Sequence, residues 1–237
     1  MARSVWNPRA LSVPLWAGTL LAAAAPSPAH QPDFTNAFQI DRCRFASTGT
    51  NPYFILEPGY RLILEGEEMR DHVRLTITVL DSTRIVTGVD TRIVEELEVV
   101  NGDTVEISRN FFAICAPTNS VFYFGEEVDI FEDGKIVSHE GAWRAGENGA
   151  RAGVMMPGVN LIGARYFQEI APGVAMDRAE TVSLSDSLTT PYGRFADVLT
   201  VEETTPLEPN ARESKRYAAG VGLIQDAGLL LISVTAP

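Results

Sequence analysis

Downstream of Tyr60 the chain repeatedly alternates apolar with polar residues and then stops at a turn dipeptide. In RLTITVL, residues 74–80, Leu75, Ile77 and Val79 alternate with Arg74, Thr76 and Thr78, the period-two pattern of a strand with one buried face. TRIVEELEVV and DTVEISRNFF follow with similar β-branched content. Between them lies Asn101-Gly102, a dipeptide suited to a two-residue hairpin because both of its positions need positive φ. The same grammar returns at Asp133-Gly134, between VDIF and KIVSH, and at Asp226-Ala227-Gly228, between GLIQ and LLLISV. Turn signals about every eight to twelve residues, with no long apolar stripe at helical spacing, predict an all-β protein. The expected architecture is an antiparallel meander forming a curved sheet or a flattened barrel or sandwich, in a single domain over residues 53–237. A short helix near the N-terminus is compatible with the pattern. The glycine-rich stretch from Gly141 to Gly163 reads as a long loop between two halves of the sheet system, with Trp143, Val154, Met155 and Met156 seeking burial.

The first residues place this domain in a compartment. Arg3 and Arg9 precede an apolar run from Leu11 to Ala25, followed by small residues and prolines up to Ala29, the layout of a secretory signal peptide. Cleavage is expected after Ala29, since Ser27 and Ala29 put small side chains three and one positions before the cut. Residues 1–29 are thus read as signal peptide and residues 30–52 as an extended, loosely structured N-terminal segment. The product is expected to be secreted or periplasmic. No later run approaches the roughly 20 apolar residues of a spanning helix, so no transmembrane segment is expected. Removing the leader takes two arginines and no acid, which moves the net charge from −12 to −14 and disfavours nucleic acid and anionic membrane surfaces as partners. Cys43 and Cys115 are the only cysteines. In an oxidising compartment they are expected to form one disulfide that ties the N-terminal segment to the sheet, with two buried thiols as the alternative.

The stretch SHEGAWRAGENGARAGVMMPG, residues 138–158, is the densest candidate site. Glu126 and Glu127 precede the Asp133-Gly134 hairpin, and His139 and Glu140 follow it. If strands 127–131 and 136–140 pair across that turn, Glu127 and Glu140 become neighbours with Trp143 beside them. Tyr123, flanked by Phe122 and Phe124, leads into the same corner. A second acidic group, Glu169, Asp177 and Glu180, surrounds the APGV turn and could join it. The candidate ligand-binding set is therefore Tyr123, Glu126, Glu127, His139, Glu140, Trp143, Glu169 and Asp177, an acidic and aromatic rim. Paired carboxylates in unequal environments can do acid and base work, as in glycosidases, and aromatic rings beside them suit a sugar or an apolar ligand. Hard oxygen donors also suit calcium. The reading without function is a solvated hairpin end whose tryptophan fills the core.

Other chemistries find less support. His30 would be the first residue after cleavage and could offer its amine and ring to copper, but such a brace needs a second histidine and only His72 and His139 remain. No phosphate loop, no H-E-x-x-H and no G-x-S-x-G elbow occurs. Strands separated by turns, with no helices between them, exclude a Rossmann cofactor site.

Several segments taken together resemble a known group. NPYFILEPGYRLILEG, YFGEEVDIFEDGKIVSHEGAW, AGENGARAGVMMPG, YFQEIAPGVAMDRAE, TPYGRFADVLTVEETTPLEPN and YAAGVGLI, spanning roughly residues 51 to 226, are similar to a family of secreted bacterial β-proteins. Its members read NPYF-x-L-x-PG, YFGE, G-x-W-x-AG, QE-x-APG-x-A and YAPGVGL. The resemblance implies secretion and one β domain, and it carries over no catalytic residue or substrate. Its closing element also looks like the end of envelope proteins whose curved sheets cradle acyl chains, a likeness of fold only. Ala219 stands here where those proteins have proline. The leading expectation is a secreted, non-enzymatic binding or envelope-associated protein whose ligand is a small molecule, a lipid or a glycan. The alternatives are a carbohydrate-active enzyme using Glu126, Glu127 or Glu140, and a structural module stabilised by calcium. The sequence specifies no oligomeric state.

Overall fold

The computed structural model describes residues 33–237, and the expected signal peptide and His30 lie outside them. After a single 3-10 turn at Ile40–Arg42 the chain forms three short strands, β1 (Phe45–Ala46), β2 (Thr50–Asn51) and β3 (Phe54–Ile55). A meander of five long strands follows: β4 (Arg61–Glu68), β5 (Asp71–Val86), β6 (Val89–Val100), β7 (Asp103–Cys115) and β8 (Ser120–Glu132). Then come β9 (Lys135–Ser138), β10 (Trp143–Arg144), β11 (Arg151–Met156), β12 (Arg165–Phe167) and β13 (Glu169–Ile170). A second meander completes the chain: β14 (Arg178–Thr189), β15 (Arg194–Thr205), β16 (Glu208–Ala218), β17 (Gly222–Asp226) and β18 (Leu229–Thr235). The fold is all-β, as the alternation predicts.

The turns form where the backbone chemistry asks for them. Asn101 and Gly102 take φ of 52° and 97°, and Asp133 and Gly134 take 50° and 70°, so each closes a two-residue hairpin. Ala227 takes φ 46° between the paired residues Asp226 and Leu229. A further hairpin at Thr87-Gly88, φ 49° and 83°, joins β5 to β6.

The two meanders are joined edge to edge by antiparallel pairing of β18 with β4, Thr235 opposite Arg61 and Leu231 opposite Leu64. The far edges meet in one short segment. Tyr166 in β12 lies opposite Ala179 of β14, and a few residues later Glu169 in β13 lies opposite Ala152 of β11. Residues 165–170 therefore serve both edges, and the antiparallel sheet is nearly closed into a barrel. Gly153 permits this approach, because a Cβ at that position would overlap the Gln168 backbone carbonyl. The stretch 141–163 is thus more than a connection: it supplies β10 and β11, and Trp143, Val154 and Met156 are buried.

Inside the barrel, Leu62 and Leu64 of β4, Val73, Leu75 and Val79 of β5, and Leu229 and Leu231 of β18 are buried. The outward faces carry charge. Arg74 reaches Glu65 at 2.7 Å, Arg109 reaches Glu95 at 3.2 Å and Asp129 at 3.1 Å, and Arg165 holds Glu180 at 2.7 Å. No helix among the described residues is long and apolar enough to cross a membrane.

The N-terminal segment is a strap and not the loose extension its composition suggests. Cys43 and Cys115 form a disulfide with Cα atoms 5.0 Å apart, closing a span of 72 residues, and Phe45 of β1 lies opposite Cys115. Phe45 packs edge-on against Phe122 and Phe124, and Phe38 against Phe122. At the strap's start, Thr35 exchanges backbone hydrogen bonds with Arg165 and Phe167, so it lies against the closing segment. The aromatic run 122–124 thus buries both of its faces, Tyr123 inward and the two phenylalanines beneath the strap.

Next comes the two-stranded sheet of β2 and β3. Asn51 is fully buried and pins this hairpin: its Nδ2 donates to Asn119 O and Pro157 O, and its Oδ1 accepts from the Tyr53 N–H. Phe54 then stacks edge-on against Phe112 with centroids 5.0 Å apart, and Tyr53, Phe54 and Ile55 face the barrel interior.

Candidate functional site

The interior of the barrel is apolar along part of its wall and acidic along the rest. Five of the eight residues singled out from the sequence converge there. Tyr123 on β8 is buried, donates from its hydroxyl to Asn110 Oδ1, and meets the Trp143 ring at 5.2 Å between centroids. Asn110 passes the network on to Ser108 Oγ at 3.0 Å. Glu126 lies opposite Trp143 in the β8–β10 pairing. That pairing depends on Gly125, whose φ is +153° and where a Cβ would stand 2.7 Å from the Trp143 carbonyl oxygen. Burial pushes the Glu126 carboxyl up to about 8, and the nearby Glu96 and Glu106 charges add to the shift. Glu169, only 3 % exposed, is raised well above the carboxylate range by burial and then by Asp177 and Glu126. The Trp143 N–H acts in the opposite direction on Glu169, yet neither that N–H nor Glu169 Oε2 makes a hydrogen bond of ordinary geometry.

The other three face elsewhere, which corrects the expected rim. Pairing across Asp133-Gly134 sets Glu132 opposite Lys135 and, after an irregularity, Ile130 opposite Ser138. It ends there, so Glu140 never comes opposite Glu127. Glu127 points outward, with Arg84 and Arg144 each 2.9 Å from its Oε1. His139 is exposed, its Nδ1 2.7 Å from Val128 O and 3.0 Å from Asp129 Oδ1. Glu140 is exposed beside Ser138. The convergent group is an interior one and not a rim.

Beneath the β2–β3 hairpin lies a cavity of about 70 Å³, room for about five waters. Tyr53, Phe54, Ile77, Val79, Val94 and Leu223 supply its apolar wall, and Glu96, Lys215 and Asp226 its charged one. Burial alone would lower the Lys215 amine, but Asp226 and Glu203 outweigh it and raise it well above its ordinary value. The corresponding distances from Lys215 Nζ are 3.2 Å to Glu203 and 3.6 Å to Asp226. Gln168 Nε2 donates to Glu203 Oε1 at 2.7 Å and sits 3.7 Å from Met155 Sδ, another residue of the cavity wall. Burial also raises the Glu96 carboxyl, opposed by Lys215 and reinforced by Asp226. Glu96 nonetheless keeps accessible surface, because it faces the cavity.

Sequence reading missed Glu96, Lys215 and Asp226, though part of the signal was present. In VEELEVV the eye places Leu97 and Val99 inward, whereas pairing sets Glu96 opposite Ile77 and Val94 opposite Val79. With Ile77 and Val79 on the buried face, Glu96 must share it. Lys215 and Asp226 carry no comparable local mark. No group of three or more His, Cys, Asp or Glu side chains fit to hold a metal ion occurs among the described residues, so the calcium reading gains no geometry here. No family model, curated protein or solved structure matches the chain. The fold and site define it as an antiparallel β-barrel protein with an acidic, partly hollow interior.

Proposed function

We propose that this is an exported, non-enzymatic binding protein that takes a small ligand into its barrel. The observation that carries the reading is the cavity, in which an aromatic and aliphatic wall faces a few convergent charged groups, the usual make-up of a ligand site. Export is supported by the leader-like first 29 residues and by a disulfide, which persists in oxidising compartments. The resemblance to secreted bacterial β-proteins agrees with both.

The test is methyl NMR with a panel of small amphiphiles. At least one member should shift the signals of Ile77, Val79, Val94 and Leu223 saturably, and Ile77→Trp, which fills the cavity, should abolish the response while keeping the β-sheet circular dichroism. A panel without saturable shifts, or a filled variant that responds like the wild type, overturns the reading.

A second reading, acid and base chemistry on a bound ligand, is favoured by one feature: beside Tyr123 and Trp143, burial raises the Glu126 carboxyl to about 8 and the Glu169 carboxyl well above the ordinary carboxylate range. Of the carboxylates expected for that chemistry it keeps Glu126, drops Glu127 and Glu140, and adds Glu169. Glycoside turnover that survives Glu126→Gln and Glu169→Gln would remove it.

A further inference from the structure

The cavity's charged wall selects a ligand class, and the inference rests on the reading that the cavity binds a ligand at all. Lys215 is the sole cation of the wall, and its ammonium is already held by Glu203 at 3.2 Å and Asp226 at 3.6 Å. Glu203 is further occupied by the Gln168 amide at 2.7 Å. The Tyr60 hydroxyl is committed to Val221 O at 2.8 Å. Two acidic groups keep acceptor capacity towards the cavity. Asp226 Oδ1 is buried without a hydrogen bond of ordinary geometry, although the Glu213 carboxyl bears on the same side chain, and Glu96, which faces the cavity in the field of Lys215, makes no hydrogen bond or ion pair among the described residues. A buried acceptor without a donor is destabilising, more so when charged, so a ligand that brings donors and positive charge recovers that cost. An anionic ligand would meet the opposite: the wall's only cation is neutralised by Asp226 and Glu203, Glu213 also acts on it, and Glu96 lies in the same field.

We infer that the cavity binds a small primary alkylammonium, with its head group between Glu96 and Asp226 and its alkyl body against Phe54, Ile77, Val79 and Leu223. The ammonium supplies three donors and one charge in a compact head. The space limits the body to a few carbons, and five heavy atoms bind no tighter than roughly micromolar by the usual efficiency ceiling.

Three probes of one size decide the matter: n-butylamine, n-butanol and butyrate, titrated at pH 7 into the purified protein with the cavity methyl signals as readout. The amine should bind at least tenfold tighter than the alcohol, and butyrate should not bind. Glu96→Gln and Asp226→Asn should each weaken the amine tenfold or more and leave the alcohol's affinity unchanged, so that the alcohol reports whether each variant keeps an intact cavity. An alcohol or butyrate that matches the amine, or variants that bind the amine as before, overturn the alkylammonium inference while the cavity reading stands. No binding by any of the three overturns both.

Discussion

At the residue scale the decisive feature is the placement of carboxylates inside a β-barrel. Burial raises the folded-state pKa of Glu126 to about 8 from an ordinary 4.5, so the folded protein holds that proton more tightly than the unfolded chain. Its contribution to stability is therefore intact below the unfolded pKa and is lost as pH rises from about 4.5 towards 8. Glu96 and Glu169, raised by the same cause, reinforce the trend. The wild type should melt at a higher temperature at pH 5.5 than at pH 8.5. Glu126→Gln should remove a penalty of a few kcal/mol and raise the melting temperature by about 5 °C at pH 8.5, with little change at pH 5.5. A melting profile of the variant that parallels the wild type at both pH values would show that Glu126 is solvated. Glu127→Gln, on the outward face between Arg84 and Arg144, should cost at most about 1 kcal/mol.

At the element scale two devices hold the barrel shut. The first is the close approach of β11 to the closing segment 165–170. Gly153→Ala would place a methyl group on the Gln168 backbone carbonyl, and backbone cannot rotate away as a side chain can. The variant should lose roughly 3 kcal/mol or more, within the range of severe overpacking, seen as a fall of about 10 °C in thermal melting or as failure to accumulate in soluble form. A neutral Gly153→Ala would mean the two edges stand further apart. The second device is the strap. Replacing Cys43 and Cys115 by serine should cost about 2–5 kcal/mol, the usual range for a native disulfide in a secreted domain. Limited proteolysis should then begin between residues 33 and 50, because the strap's remaining anchors are the Phe38 and Phe45 ring contacts and the Thr35 hydrogen bonds. Cleavage elsewhere first would show that the strap does not depend on the bridge.

At the scale of the whole molecule, closure joins distant parts of the chain. Thr235 pairs with Arg61, and β11 and β14 meet through residues 165–170. Such pairings carry large loop-closure costs before they are rewarded, so refolding should be slow, in the millisecond to second range. Trp143, the one tryptophan beyond residue 29, lies buried against Tyr123 and reports the event by fluorescence. A chain ending at Gly228 lacks β18, leaves the edges of β4 and β17 unpaired, and should show no cooperative melting transition. A sharp transition in that truncation would mean the two meanders are stable independently.

What could be read from residue order alone is what short-range chemistry settles. Alternation around Leu75, Ile77 and Val79 marked β5. Asn101-Gly102 and Asp133-Gly134 marked hairpins because their positions need positive φ, and two cysteines behind a leader-like N-terminus marked a bridge. Tyr123, Glu126, Trp143, Glu169 and Asp177 stood out as unusual company, although their meeting inside the barrel was not legible. The register that separates Glu140 from Glu127, the joining of β18 to β4, and the turning of Glu96, Lys215 and Asp226 towards one cavity required the tertiary structure. The physical reason is that backbone φ and a period of two are properties of a few neighbouring residues, whereas the face a glutamate presents depends on which strand, far along the chain, hydrogen-bonds beside it.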